Sequence, residues 1–158
     1  MKEVDSMNYE IVQLEEKKVV GLKIRTNNSD PNMSSAIGDV WKRFFETGIY
    51  QSIPDKKNEK CIGLYTNYES DVNGAYDVMV CCETQNSSNH PMLVQSETIP
   101  AGKYAKFIIQ GHVQKVVAEF WMKLWSMDLD RKYSCDFEEY QGGSDKDTAE
   151  IHIYISLN

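Results

Sequence analysis

Basic residues are scarce in this sequence and nowhere clustered. Seventeen Lys and Arg stand against twenty-four Asp and Glu, for a formal net charge of −7 and a pI near 5.0. No basic run is longer than a pair, as at Lys17-Lys18 and Lys56-Lys57. A phosphate backbone needs a broad basic face, so direct nucleic-acid binding is excluded, and an acidic surface suits a cationic ligand or a basic partner better. Long apolar runs are missing too. No stretch approaches the ~20 apolar residues that cross a bilayer, and the first ten residues are too polar for a signal peptide. The four cysteines, Cys61, Cys81, Cys82 and Cys135, form no C-x-x-C and have no histidine at metal-ligand spacing. A zinc site, and any metal or cofactor, is therefore not expected, and the expected compartment is a reducing cytoplasm.

Nucleophilic chemistry is equally poorly supplied. There is no G-x-S-x-G, and neither Cys81 nor Cys82 has a histidine nearby in sequence. His90, His112 and His152 fall in a linker, before a helix and within an alternating strand, where a loop or strand-face role is the commoner one. Gly142-Gly143 follows a strand but precedes no helix, so it is no phosphate loop.

What is present is organisation. At 158 residues the chain is the size of one domain, 1–158, with enough apolar content to bury a core. After a short polar leader, residues 9–26 alternate as strand, bend and strand. Ile37, Val40, Trp41, Phe44 and Phe45 follow helical spacing, with Ser34 or Ser35 as cap and Gly48 as terminator. The charged run 55–60 reads as loop. CIGLYTNY and AYDVMVCCE flank Asn73-Gly74, a hairpin signal, with Cys81 and Cys82 on opposite faces of their strand. A polar linker through 85–91 follows, and the pattern restarts. A strand bent at Pro100-Ala101-Gly102 leads to a helix with apolar positions 113, 116, 117, 120, 121, 124 and 125. Residues 127–134 read as polar loop, DFEEY as strand, and EIHIYISL as a closing strand. The first helix overlays the second in spacing and chemical type, Val40-Trp41 on Phe120-Trp121 and Phe44-Phe45 on Leu124-Trp125. The fold expected is α+β: duplicated β-α-β-β units, repeats 9–84 and 92–157, in one pseudo-symmetric domain with antiparallel sheet, two main helices and a central ligand cleft.

Strand alternation makes Cys135-Asp136-Phe137-Glu138-Glu139-Tyr140 the stretch to watch. Asp136, Glu138 and Tyr140 share one face, and Phe137 and Glu139 the other. A buried carboxylate without a partner tends to take up a proton or a cation. Aromatic walls around one acid suit a lipophilic cation through stacking, cation–π attraction and charge neutralisation. Trp41, Trp121 and Trp125 on helices, and Tyr65, Tyr76, Tyr104 and Tyr140 on strands, are placed where such walls could stand.

Val19-Val20-Gly21-Leu22, Ile99-Pro100-Ala101-Gly102-Lys103-Tyr104, Gly111, Trp125, Phe137-Glu138-x-Tyr140 and Ile151-His152-Ile153-Tyr154-Ile155, in that order, resemble the gyrase-inhibitory-protein-like (GyrI-like) small-molecule-binding domains. These also occur as effector-binding domains of AraC-type and multidrug-responsive bacterial transcription regulators, and the resemblance spans residues 8–157. It implies a cleft for drug-like, often cationic and aromatic compounds, with Glu138 in the pocket and Tyr140 beside it. The ligand-binding set expected is Glu138, Tyr140, Trp125, Trp41, Tyr65 and Tyr76, in a stand-alone effector-binding domain, since only about eight residues precede it. Some family members hydrolyse electrophilic small molecules, which would make Glu138 and Tyr140 catalytic. Gyrase-inhibiting members would imply a protein partner instead. The chain departs from the family in Ser156, where a proline is usual, and in the charged segment 128–133. The first departure is expected to say little about the pocket, and the second to alter its rim.

Overall fold

The computed structural model describes residues 8–54, 56–70, 74–85, 94–141 and 148–158. The leader, the turn at 71–73, His90 with most of its linker, and Gly142-Gly143 lie outside the described residues. The elements are β1 (Glu10–Leu14), β2 (Lys17–Asn27), α1 (Met33–Glu46), α2 (Ile49–Ser52), β3 (Lys56–Thr66), β4 (Ala75–Thr84), β5 (Gln95–Ile99), β6 (Gly102–Gly111), α3 (Val113–Trp125), β7 (Arg131–Tyr140) and β8 (Ala149–Leu157). The described strands form one sheet of eight in the order β1-β6-β8-β7-β3-β4-β2-β5. Every ladder is antiparallel. This is the expected α+β architecture, with a third, one-turn helix beside the two main ones.

The order reads identically from either edge once β1, β2, β3 and β4 are exchanged for β5, β6, β7 and β8. The opening strands of each half pair across the halves: β1 pairs with β6, and β5 with β2. The two-residue connection Glu15-Glu16, a bend in sequence, leads from β1 at one edge of the sheet order to β2, which lies next to β5 at the other. Two further segments read as loop are strand. Residues 56–60 open β3, and residues 131–134 open β7, each with a register irregularity, before Cys61 and before Asp136 respectively. Such bulges break the period of two on which strand recognition depends. The first helix also starts earlier than expected, at Met33 with Asn32 as N-cap and no side-chain cap bond, while Gly48 follows its C-cap in the left-handed region at φ +78°.

Both main helices cover the same face. Directly paired residues carry Leu22, Val80, Gly63, Glu138, Ile153 and Phe107 in one row across six strands, and paired residues share a face. Helix α1 packs Val40 and Phe44 against Val20, Leu22, Val80 and Cys82 at one end. Helix α3 packs Phe120 and Leu124 against Phe107, Ile151, Ile153 and Ile155 at the other. The middle of the row, Gly63 and Glu138, is left between them. The opposite parity builds a second core from Val19, Ile62, Leu64, Met79, Cys81, Phe137 and Tyr154, to which β1 and β5 add Val12, Leu14 and Ile99. β4 is thus buried on both faces, which explains its nearly unbroken apolar run. Cys81 and Cys82 divide between the two cores as expected, and all four cysteines are free thiols.

Gly21 marks the tightest approach between β2 and β4, for a Cβ there would lie 1.9 Å from the Val80 carbonyl oxygen and 2.6 Å from Cys81 Cα. Gly21→Ala is expected to cost about 2–4 kcal/mol in urea denaturation. Gly38→Ala in α1, where an added Cβ meets nothing within 4 Å, should be neutral or stabilising by about 0.5–1 kcal/mol. Equal effects of the two substitutions would contradict this packing.

Candidate functional site

β3 and β7 meet at the middle of the sheet, and their register sets Cys61, Gly63 and Tyr65 against Tyr140, Glu138 and Asp136. Gly63 faces Glu138 directly. A Cβ at position 63 would stand 3.1 Å from Glu138 Oε1 and 3.2 Å from Trp41 Cζ2. Glycine therefore leaves the space into which the carboxylate turns.

Glu138 is 2% exposed and has no cationic neighbour within ion-pairing distance among the described residues. Three aromatic side chains satisfy it instead. The Tyr65 hydroxyl donates to Oε2 at 2.8 Å, the Trp121 indole N–H donates to the same oxygen at 2.7 Å, and the Tyr140 hydroxyl donates to Oε1 at 2.7 Å. Burial raises the Glu138 carboxyl above its usual range, and the hydrogen bonds from Tyr140, Trp121 and Tyr65 oppose part of that rise. Burial, and then the charge on Glu138, push the Tyr65 and Tyr140 hydroxyls well upward, so both remain donors.

The aromatic groups are disposed alike on either side of this acid. Trp41 meets Tyr140 edge to face at 5.0 Å and 74°, and Trp121 meets Tyr65 at 5.2 Å and 71°. Exchanging the halves carries Tyr65 onto Tyr140, Trp41 onto Trp121, and Gly63 onto Glu138. Two facing carboxylates at the centre would repel one another, and glycine on one side avoids that.

Above these residues a cleft of about 760 Å³ opens between α1 and α3, within the range of small-molecule sites. Trp41, Tyr65, Tyr76, Trp125 and Tyr140 line it, and so do Trp121, Tyr68 and Phe45. Trp125 and Phe45 are 52% and 42% exposed, at corresponding positions of the two helices. Glu138 itself is absent from the lining and lies beneath it, screened by the rings that bond it. Glu139 takes the opposite face, paired with Ile62 and His152, with Lys60 at 3.9 Å. His152 bonds Glu150 at 2.7 Å and His112 is the N-cap of α3, both away from the acid.

A second buried acid went unassigned in the sequence reading. Asp136 is fully buried. It accepts from the Tyr68 hydroxyl at 2.5 Å, from Arg131 Nη2 at 2.8 Å, and from the Ser156 N–H and hydroxyl at 2.8 and 3.1 Å. Tyr68 and Arg131 both line the cleft. Ser156 therefore does bear on the pocket, since a proline there would have no N–H to give Asp136. Alternation with Glu138 pointed to Asp136. The charged segment 128–133 was expected at the pocket's rim, and of it Arg131, which sits on the far side of the β7 bulge, lines the cleft.

The family model described as Cass2, integron-associated effector binding protein, matches residues 10–157. The integron cassette protein VCH_CASS2 from the mobile metagenome of Vibrio cholerae is similar in structure, with a TM-score of 0.72 and 32% identity over 93% of this chain and 95% of that one. YobU of Bacillus subtilis (strain 168) is 29% identical over 156 residues, 93% of this chain and 96% of that protein. The structure of SAV2435 bound to tetraphenylphosphonium shares the fold at a TM-score of 0.79, with 24% identity over 96% of this chain and 94% of that one.

Tyr65→Phe and Tyr140→Phe each remove a hydrogen bond that favours the Glu138 anion. Both should raise its titration midpoint above the wild-type value when the carboxyl ¹³C shift is followed against pH. A raised carboxyl binds its proton more tightly folded than unfolded, so the Glu138 contribution to stability is fully present below the usual carboxylate pKa. It is lost as pH rises through the folded value. In both variants that loss should move to higher pH. A lowered midpoint in either would contradict the assigned bonds.

Proposed function

The chain belongs to the Cass2 family of integron-associated effector-binding proteins, of the GyrI-like fold that its motifs resemble, and we propose that it binds a small organic cation bearing aromatic groups in the cleft between α1 and α3. It would serve there as a sensing or sequestering domain. We read residues 1–158 as that one domain, built from duplicated units 9–84 and 92–157. The palindromic strand order and the matched Trp–Tyr pairs at 5.0 and 5.2 Å support the duplication.

One observation carries the reading: a carboxylate buried with no cation paired to it among the described residues, beneath an aromatic cleft large enough for a drug-sized molecule. The rings of Trp41, Trp121, Tyr65 and Tyr140 present π surface to the cleft, and the charge beneath strengthens their pull on a cation. A charge pair separated by about 6 Å at an effective dielectric of about 20 is worth roughly 2–3 kcal/mol. Tetraphenylphosphonium, the ligand of SAV2435, is a cation of this class. The hydrolase reading would use the same raised carboxyl as general acid or base. It is less favoured, because both Glu138 oxygens are already engaged by donors from the cleft wall.

Isothermal titration with tetraphenylphosphonium tests this. Because the apo carboxyl is raised and a cation favours its ionised form, binding releases a proton, and wild-type affinity should climb as pH rises through the Glu138 pKa. Glu138→Gln should weaken binding about ten- to hundredfold and flatten that pH dependence. Unchanged affinity in Glu138→Gln, with binding abolished by Trp121→Ala, would leave an aromatic cleft with no electrostatic role for the acid.

A further inference from the structure

Glu138 sits between two aromatic clusters, and the strand register sets how far apart they stand. Gly63 pairs with Glu138, Tyr65 with Asp136, and Cys61 with Tyr140. Tyr65 therefore lies two residues along the strand axis from the acid in one direction and Tyr140 two residues in the other, about 7 Å each way. One cluster is Tyr65 with Trp121, whose hydroxyl and indole N–H both donate to Oε2. The other is Tyr140 with Trp41, and the Tyr140 hydroxyl donates to Oε1. Each carboxylate oxygen thus belongs to one cluster.

The helices extend both clusters outward in the same way. Phe45 stacks on Trp41 at 6.2 Å and 15°, and Trp125 lies one turn beyond Trp121 on the same side of α3. Ile37 and Val117 occupy the turn before each Trp, and all six of these side chains line the cleft. None of the six is fully buried, nor is Tyr65 or Tyr140. Phe45 and Trp125, 42% and 52% exposed, are the most open, so each cluster offers ring surface that a ligand can reach.

The rings are paired, but the charge is single. Arg131 already neutralises Asp136 at 2.8 Å, and Lys60 stands 3.9 Å from Glu139, which leaves Glu138 as the acid of β7 without a cation among the described residues. We propose, on the basis of the cation reading above, that the cleft selects two-armed monocations, in which the charged centre lies between two aryl groups, over cations that carry their rings on one side. A two-armed cation sets its charge above Glu138 and a ring against each cluster. A cation with both rings on one side fills one cluster and leaves the other hydrated, or spans both and draws its charge away from the acid. Either way it forfeits one of the two attractions.

Two isomers of equal formula and charge test this, dibenzyldimethylammonium with its charge between the rings and 4-phenylbenzyl-trimethylammonium with its charge beyond them. Wild-type protein should bind the dibenzyl probe about tenfold more tightly by isothermal titration, although its charge is the more shielded of the two. Phe45→Ala and Trp125→Ala, at half-exposed positions that make no bond to Glu138, should each weaken the dibenzyl probe about threefold or more. Equal affinities in wild type, or a preference for the biphenyl isomer, overturns the proposal while leaving the cation reading intact if Glu138→Gln weakens both. Full dibenzyl affinity in either alanine variant equally overturns it, because one arm would then have no cluster to meet. Failure of both probes to bind overturns it too, and the cation reading then stands or falls on tetraphenylphosphonium.

Discussion

A carboxylate placed in the interior of a sheet, with no positive charge beside it among the described residues, is the constraint around which this chain is arranged. Glu138 stands in a row that is otherwise Leu, Val, Gly, Ile and Phe, where an isolated anion would be severely penalised. Three aromatic donors offset part of that penalty without adding charge. The outcome is a carboxyl that burial raises and its three donors partly lower, and whose ionised form a nearby cation would favour. The helices cover the apolar ends of the row and leave its polar centre uncovered, so cleft and acid share one origin.

The two halves share the work of holding that acid. Tyr65 and Tyr140 approach from opposite strands, Trp41 and Trp121 from opposite helices, and the two edge-to-face contacts match within 0.2 Å and 3°. At the centre the symmetry is broken by one pair of positions. Gly63 faces Glu138, and the space a side chain would fill at position 63 is taken by the carboxylate and the Trp41 ring. The surroundings are thus two-sided while the charge is single.

Asp136 is the instructive contrast. It is as deeply buried as Glu138, on the same strand and the same face, yet Arg131, Tyr68 and Ser156 complete it. It is a structural acid whose partners reach the cleft, while Glu138 is an acid whose partners are the cleft. Burial alone does not separate the two roles. The presence or absence of a cation does.

Alternation and helical spacing determined the strands around Cys61, Cys82, Phe137 and Ile153 and both main helices, because each depends on contacts along one short segment; alternation also set Glu138 apart from Glu139, and the family resemblance made Glu138 the inward one. The motif order was enough to indicate the family. Long-range pairing was not legible. A strand's hydrophobic pattern is the same whichever neighbour it joins, so the exchange of β1 and β5 between halves could be seen only in three dimensions. The bulges at 56–61 and 131–136 hid strand residues, Arg131 among them, because they interrupt the period that sequence reading uses. That Glu138 lies under the lining, that Trp121 rather than the half-exposed Trp125 bonds it, and that Ser156 reaches the pocket through Asp136 were decided by tertiary structure alone. Each depends on which atoms of distant segments come within about 3 Å of one another, and hydrogen bonds are lost over fractions of an ångström beyond that.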